Sequence, residues 1–224
     1  MFKYSRLKIF QTALRPISLY HRKKRSLLFV NLFNIEAGMS ILDVGGHPKI
    51  WDHVSIPLKI TCLNLPGAIK NKHKTRHKIT YVDGDGCFMP QFRDNSFDIA
   101  FSNSVIEHVG STKNRKLFAK EILRISNNYW IQTPHRYFPI EAHCGMPFWW
   151  FYPKKLKIYF ISRWRKKLPE WTQMIESTTV VSQKELTALF PEAKILTEWM
   201  FFPKSLIAYS KHQKFQRGDN KTNY

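Results

Sequence analysis

The chain has 224 residues, 43% hydrophobic and 15% aromatic, enough for one domain with a sizeable core. Lys and Arg number 36 against 16 Asp and Glu, a net charge of +20, which favours polyanionic counterparts: nucleic acid, an anionic membrane face or a phosphorylated substrate. The widely spaced Cys62, Cys87 and Cys144 argue against a disulfide scaffold or a CxxC zinc site, and no apolar run is long enough to span a bilayer.

In chain order, the N-terminus scatters Lys3, Arg6, Lys8 and Arg15 among apolar residues, so no secretory h-region is read there. The expected location is cytoplasmic, and the basic clusters add a peripheral position on the inner face of the membrane as a second reading. Residues 1–36 read as a basic helical segment containing Arg22-Lys23-Lys24-Arg25, and residues 37–210 as the main domain. β-like runs fall at Ser40 to Val44, Lys59 to Leu65, Ile79 to Val82, Phe97 to Ser102 and Tyr129 to Gln132, with an amphipathic helix from about Thr112 to Ile125. An irregular, aromatic-rich insertion is expected over about 134–178, carrying Trp149, Trp150, Trp164 and Trp171 and the basic run Lys154 to Lys167. A further basic cluster runs from Lys70 to Lys78. Ser182-Gln183-Lys184-Glu185 reads as a capping box opening a helix. Lys194 to Phe202 and Ser205 to Ser210 give two last strands, and 211–224 a polar tail. Strands alternating with crossovers indicate a parallel α/β sheet.

Ligands of such sheets sit at the carboxyl ends of the strands. Asp43-Val44-Gly45-Gly46 closes the first strand, Asn64 the second and Asp83-Gly84-Asp85-Gly86 the third, with Asn64 standing 21 positions after Asp43 and Asp85 21 positions after Asn64. Glycine permits close backbone approach, an amide can meet ribose hydroxyls, and a carboxylate can accept from an adenine amine.

The blocks Val82 to Pro90, Asp94 to Ser102 and Val105-Ile106-Glu107-His108-Val109, with Ile41 to Gly46, resemble the class I S-adenosylmethionine-dependent methyltransferases of methyltransferase type 11 kind. The resemblance covers about Ile41 to Pro134. It implies a Rossmann-like, seven-stranded, mostly parallel sheet with its last strand antiparallel and helices on both faces. It also implies S-adenosyl-L-methionine as cofactor, with Asp43, Gly45 and Gly46 along its methionine part, Asn64 at the ribose, Asp85 at the adenine amine, and Ser102 and Asn103 lining the sulfonium. Two departures stand out: His47 and Lys49 replace the family's second and third glycines, and Asn64 replaces its usual acid.

The acceptor is expected just past the fifth strand, in Thr133 to Cys144, with His143 as proton acceptor, Glu141 as its partner and His108 as the second candidate. Glu141-x-His143-Cys144 contains ligand types, but with no second cluster in the sequence no metal is expected. No Asn- or Asp-Pro-Pro-aromatic run follows the fourth strand, and no cysteine is placed as a pyrimidine nucleophile. The expected acceptor is therefore a small-molecule or glycan-like hydroxyl. The alternatives are RNA modification, supported by charge alone, and a non-catalytic binding relative.

Overall fold

The computed structural model describes residues 15–69, 73–141 and 143–211. Residues 1–14 of the basic N-terminus, Lys70 to Lys72 of the second basic cluster, Ala142 and the tail residues 212–224 lie outside them.

The five β-like runs become parallel strands: β1 Ser40–Val44, β2 Lys59–Asn64, β3 Lys78–Asp83, β4 Ile99–Asn103 and β5 Tyr129–Pro134. β6 Lys194–Met200 and β7 Phe202–Ser210 complete a seven-stranded sheet of order β3-β2-β1-β4-β5-β7-β6. β7 runs antiparallel to both of its neighbours. The fourth strand, expected from Phe97, starts at Ile99 because Asp98 turns to its neighbour: its carboxylate accepts from the Ser40 backbone N–H and hydroxyl, each at 2.8 Å. The order reverses between β1 and β4, where an open sheet leaves a crevice beyond the strand carboxyl ends.

Strand residues alternate between two cores, as the pleat requires. On one face lies α1 (Arg15–Phe33), whose Phe29 ring packs edge-on against Trp51, Phe101 and Trp130 at 5.7, 5.4 and 5.8 Å. Phe29 and Phe33 thus anchor this part of the basic segment in the sheet's core. On the other face, α2 (Thr112–Ile125) and α5 (Gln183–Leu189) bury Phe118, Ile122 and Leu186 against Leu42, Val44 and Ile131. The capping box forms by half. Ser182 Oγ accepts from the Glu185 N–H at 3.1 Å, but the Glu185 carboxylate turns away to accept from buried Arg115 Nε at 2.6 Å, which ties α5 to α2.

The insertion is not irregular. A 3-10 turn, Trp149–Phe151, leads into α3 (Lys154–Arg165) and α4 (Pro169–Ser177). These surround a satellite core in which Trp164 meets Trp149, Phe160 and Trp171 at 5.4, 5.6 and 5.2 Å. The i, i+4 spacing of Phe160 and Trp164 sets that helical face; the intervening lysines and arginines obscure it in the sequence.

Candidate active site

The turns ending β1, β2 and β3 are stitched together by two backbone bonds and one from the Asn64 side chain. Gly45 N–H donates to the Leu63 carbonyl at 2.7 Å, Gly84 N–H to the Asn64 carbonyl at 2.8 Å, and the Asn64 amide to the Gly46 carbonyl at 3.1 Å. Gly45 holds φ +70°, and a Cβ there would lie 2.6 Å from the Val105 side chain, so only glycine fits without displacement. At Gly46 a Cβ would overlap the Asp43 carboxylate.

Asp43 is fully buried. Its Oδ2 accepts from Trp51 Nε1 at 2.8 Å, whereas Oδ1 has no partner among the described residues. Burial raises the carboxyl to about 7. An orphaned buried acceptor beside a glycine turn suits a ligand's ammonium, which would supply the missing donor and the opposite charge. Asp85 is exposed, and its Oδ1 accepts from the Cys87 N–H at 2.8 Å while holding the turn. Ser102 is buried and donates its hydroxyl to the Val44 carbonyl at 3.1 Å, joining β4 to the glycine turn. Asn103, the last residue of β4, has its Oδ1 held at 2.7 Å by Arg25 of α1, which also pairs with Glu198 of β6. The glycine turn is followed by a short 3-10 segment, Pro48–His53, whose Lys49 N–H donates to His47 Nδ1. Asp43, Gly45, Gly46, Asn64 and Asp85 thus lie together at one end of the sheet.

The acceptor side is assembled across longer stretches of chain. After β4, Ser104 takes φ +59°, a strained conformation for a non-glycine residue, and is fixed by its hydroxyl donating to Gln132 Oε1 at 2.9 Å. The chain then delivers Glu107 and His108. Glu107 is 1% exposed; its Oε2 accepts from the Thr133 hydroxyl at 3.0 Å and its Oε1 has no partner among the described residues. Burial raises this carboxyl to about 7, with bonds from the backbone and Thr133 opposing. Burial also lowers His108 to about 4, helped by neighbouring His143.

His143 stands on a buried Glu141. One Glu141 oxygen meets His143 Nδ1 at 2.6 Å, and the other accepts from the backbone N–H groups of His143 and Cys144 at 2.7 and 2.6 Å. Burial pulls the His143 imidazole down, but the hydrogen bond and charge of Glu141 more than offset it, so its basicity is raised. The His108 and His143 rings meet edge-on at 4.7 Å. The structure thereby brings together all three expected acceptor-side residues.

Three contributors escaped the sequence reading. Trp51, eight residues past Asp43, closes its carboxylate. Glu107 lies inside the family-like block, but nothing local marks it as buried and half-satisfied. Thr178, from the end of α4, holds His108 Nδ1 at 3.2 Å across 70 residues, a contact no spacing announces.

A family model for a methyltransferase domain matches residues 49–128, beginning just after the divergent glycine turn. Comparison with curated proteins gives no match. Among solved structures, a complex between the Haloferax volcanii Trm112 methyltransferase activator and a methyltransferase aligns at TM-score 0.56, 14% identity, over 93% of this chain and 95% of that one. A methyltransferase from an antibiotic biosynthesis pathway of Anabaena variabilis aligns at 0.51, 14% identity, over 78% and 64%. A Haemonchus contortus phosphoethanolamine N-methyltransferase, solved with phosphomonomethylethanolamine and S-adenosylhomocysteine, aligns at 0.50, 17% identity, over 78% and 39%. These identities speak for the fold alone; the family model over residues 49–128 and the seven-stranded sheet with its strand-end turns support an S-adenosylmethionine-dependent methyltransferase.

Proposed function

We propose that this enzyme methylates a hydroxyl of a small-molecule or glycan-like acceptor, with His143 as proton acceptor and Glu141 as the residue that orients it. The observation carrying this reading is the Glu141–His143 pair, a short buried contact beside His108 past the ends of β4 and β5. The cofactor supplies an activated methyl group; the protein's task is to hold the acceptor oxygen in line with it. A hydroxyl must also lose its proton, and an imidazole made more basic by a buried carboxylate is suited to take it.

On the cofactor side, the Asp43 carboxylate would receive the ammonium, Asn64 Oδ1 a ribose hydroxyl and Asp85 the adenine amine. Leu65 and Phe88, exposed beside Asn64 and Asp85, would flank the base. On the acceptor side, exposed Tyr137 and Phe151 stack at 5.4 Å, and Arg136 lies 5.6 and 5.4 Å from their ring centres. Such a platform offers an apolar face for a sugar or lipid-like group with a cation for an adjoining anion.

The test is methyl-labelled S-adenosylmethionine incubated with enzyme and separated lipid, glycan, small-molecule and RNA fractions. Ether-linked label in a lipid, glycan or small-molecule fraction is expected; label on an RNA amine overturns the reading.

A second reading concerns location, and three exposed patches favour it. Phe201, between β6 and β7, is 97% exposed and holds φ +59°, flanked by exposed Trp199 and Phe202. α1 exposes Leu19, Tyr20 and Leu27 beside Arg22, Lys23 and Lys24, and α3 exposes Leu156, Ile158 and Tyr159 beside Lys154 and Lys155. Apolar side chains among cations are what an anionic membrane interface receives. No helix among the described residues is long and apolar enough to cross a membrane. Docking would therefore be peripheral.

A further inference from the structure

We infer that Glu107, His108 and His143 form a binding site for a divalent transition-metal ion of the zinc class. One ring nitrogen of each histidine and a Glu107 oxygen lie within 4.8 Å of one another. The second observation is independent of that clustering: Glu107, 1% exposed, holds Oε1 without a partner among the described residues. A carboxylate oxygen so buried and unmatched is a standing cost that a cation removes.

The tautomers are set for the purpose. Thr178 Oγ1 spends its own hydrogen on the Met174 carbonyl at 2.8 Å, so toward His108 Nδ1 it acts as acceptor, which places the proton on Nδ1 and the lone pair on Nε2. Glu141 already accepts two backbone N–H groups, and as a carboxylate it accepts from His143 Nδ1 as well. Both imidazoles therefore present Nε2 as an electron-pair donor. A carboxylate behind a ligating histidine is the outer-shell arrangement that fixes ring orientation and raises ligand basicity.

Two imidazoles and one carboxylate leave a fourth position open, the pattern of a catalytic rather than a structural zinc site. This donor set selects zinc, cobalt or nickel over magnesium, which prefers oxygen ligands and retained water. Tetrahedral ligands at zinc distances stand about 3.4 Å apart, so the three donors need to close by about 1 Å or a little more. Glu107 can contribute by rotating about its bonded Oε2.

The inference rests on the reading of this cluster as the acceptor end, and it changes the part His143 plays. With the ion bound, His143 Nε2 is a ligand. The acceptor hydroxyl takes the open position and gives up its proton to solvent. The oxygen's electron pair then forms the bond to the methyl carbon as the carbon–sulfur pair returns to sulfur, leaving a methyl ether and S-adenosylhomocysteine.

The experiment uses the full chain, stripped with chelator and freed of any affinity tag, titrated with Zn2+ by calorimetry and with Co2+ by visible absorption. Expected are one ion per chain and cobalt d–d bands of a four- or five-coordinate site. Glu107→Gln and His108→Gln should weaken Zn2+ binding at least tenfold and alter the cobalt spectrum, Glu141→Gln should weaken it about 10–100-fold, and His73→Ala, at the separate His73–Asp52 pair, should change neither. Circular dichroism of each variant separates lost ligation from lost fold. Absence of stoichiometric binding, or binding unchanged in both Glu107→Gln and His108→Gln, overturns the site. Methyl transfer that proceeds at full rate in chelator overturns the metal's catalytic part while leaving hydroxyl methylation standing; ion binding with label only on an RNA amine does the reverse.

Discussion

The two ends of the site are built in opposite ways. The proposed cofactor end is made by residues at or just past the carboxyl ends of neighbouring parallel strands, so the register of β1, β2 and β3, in which Val44 meets Leu63 and Asn64 meets Asp83, brings Asp43, Asn64 and the turn carrying Asp85 to one edge. The acceptor end is made by residues that no strand aligns: Glu107 and His108 arrive through a strained turn at Ser104, Glu141 and His143 from the insertion, and Thr178 from the end of α4. Register is a cheap and repeatable way to position a common ligand. Loops packed against a satellite core can vary without disturbing the sheet, which is where an individual acceptor is accommodated.

That contrast predicts that the two ends fail separately. The largest effect is expected from His143→Ala, which should lower kcat by about 10²–10⁴ in steady-state assays while leaving S-adenosylhomocysteine affinity unchanged. A parallel loss of affinity would show that the ends are coupled. Next, Asp43→Ala should weaken cofactor binding by about tenfold or more, because it removes a buried charged acceptor. Asp85→Ala should cost less, about three- to tenfold, since Asp85 is exposed and part of its loss is an untethered turn.

Asp43 also sharpens the comparison through pH. Its folded carboxyl is raised to about 7 from an ordinary 3.8, so the folded state retains a proton that the unfolded state has released. The stabilisation that this provides is complete below about pH 4 and is lost as pH rises through about 7. Asp43→Asn, which keeps an acceptor for Trp51, should therefore raise the Tm of the ligand-free enzyme by several degrees at pH 8 and far less at pH 5. Equal shifts at both would mean that the carboxylate is already matched by a partner. The smallest effect belongs to the surface: Phe201→Ser should reduce co-sedimentation with acidic vesicles severalfold and leave soluble turnover intact, whereas equal, negligible binding of the unaltered enzyme to acidic and neutral vesicles removes the docking reading.

What the sequence made legible follows the same division. Strand ends are marked by turn residues at regular intervals, so β1 to β5 and the residues after them could be located to within about two positions. The resemblance points to Asn103, but its bond from Arg25, 78 residues away, is revealed only by the packing of α1 over the sheet. The insertion looked irregular because aromatic residues that pack together in three dimensions alternate with cations in the chain. Thr178 and the orphaned oxygen of Glu107 are consequences of burial, which one sequence does not record. Gly45 and Gly46 are legible as a turn after β1, while their contacts with Val105 and Asp43 emerge only from the packing.

The most direct measurement is a calorimetric titration of S-adenosylhomocysteine into the unaltered enzyme, Asp43→Ala and His143→Ala. The account predicts 1:1 binding to the unaltered chain, weakened about tenfold or more in Asp43→Ala and unchanged in His143→Ala. No binding to the unaltered chain, or equal affinity in Asp43→Ala, would contradict it.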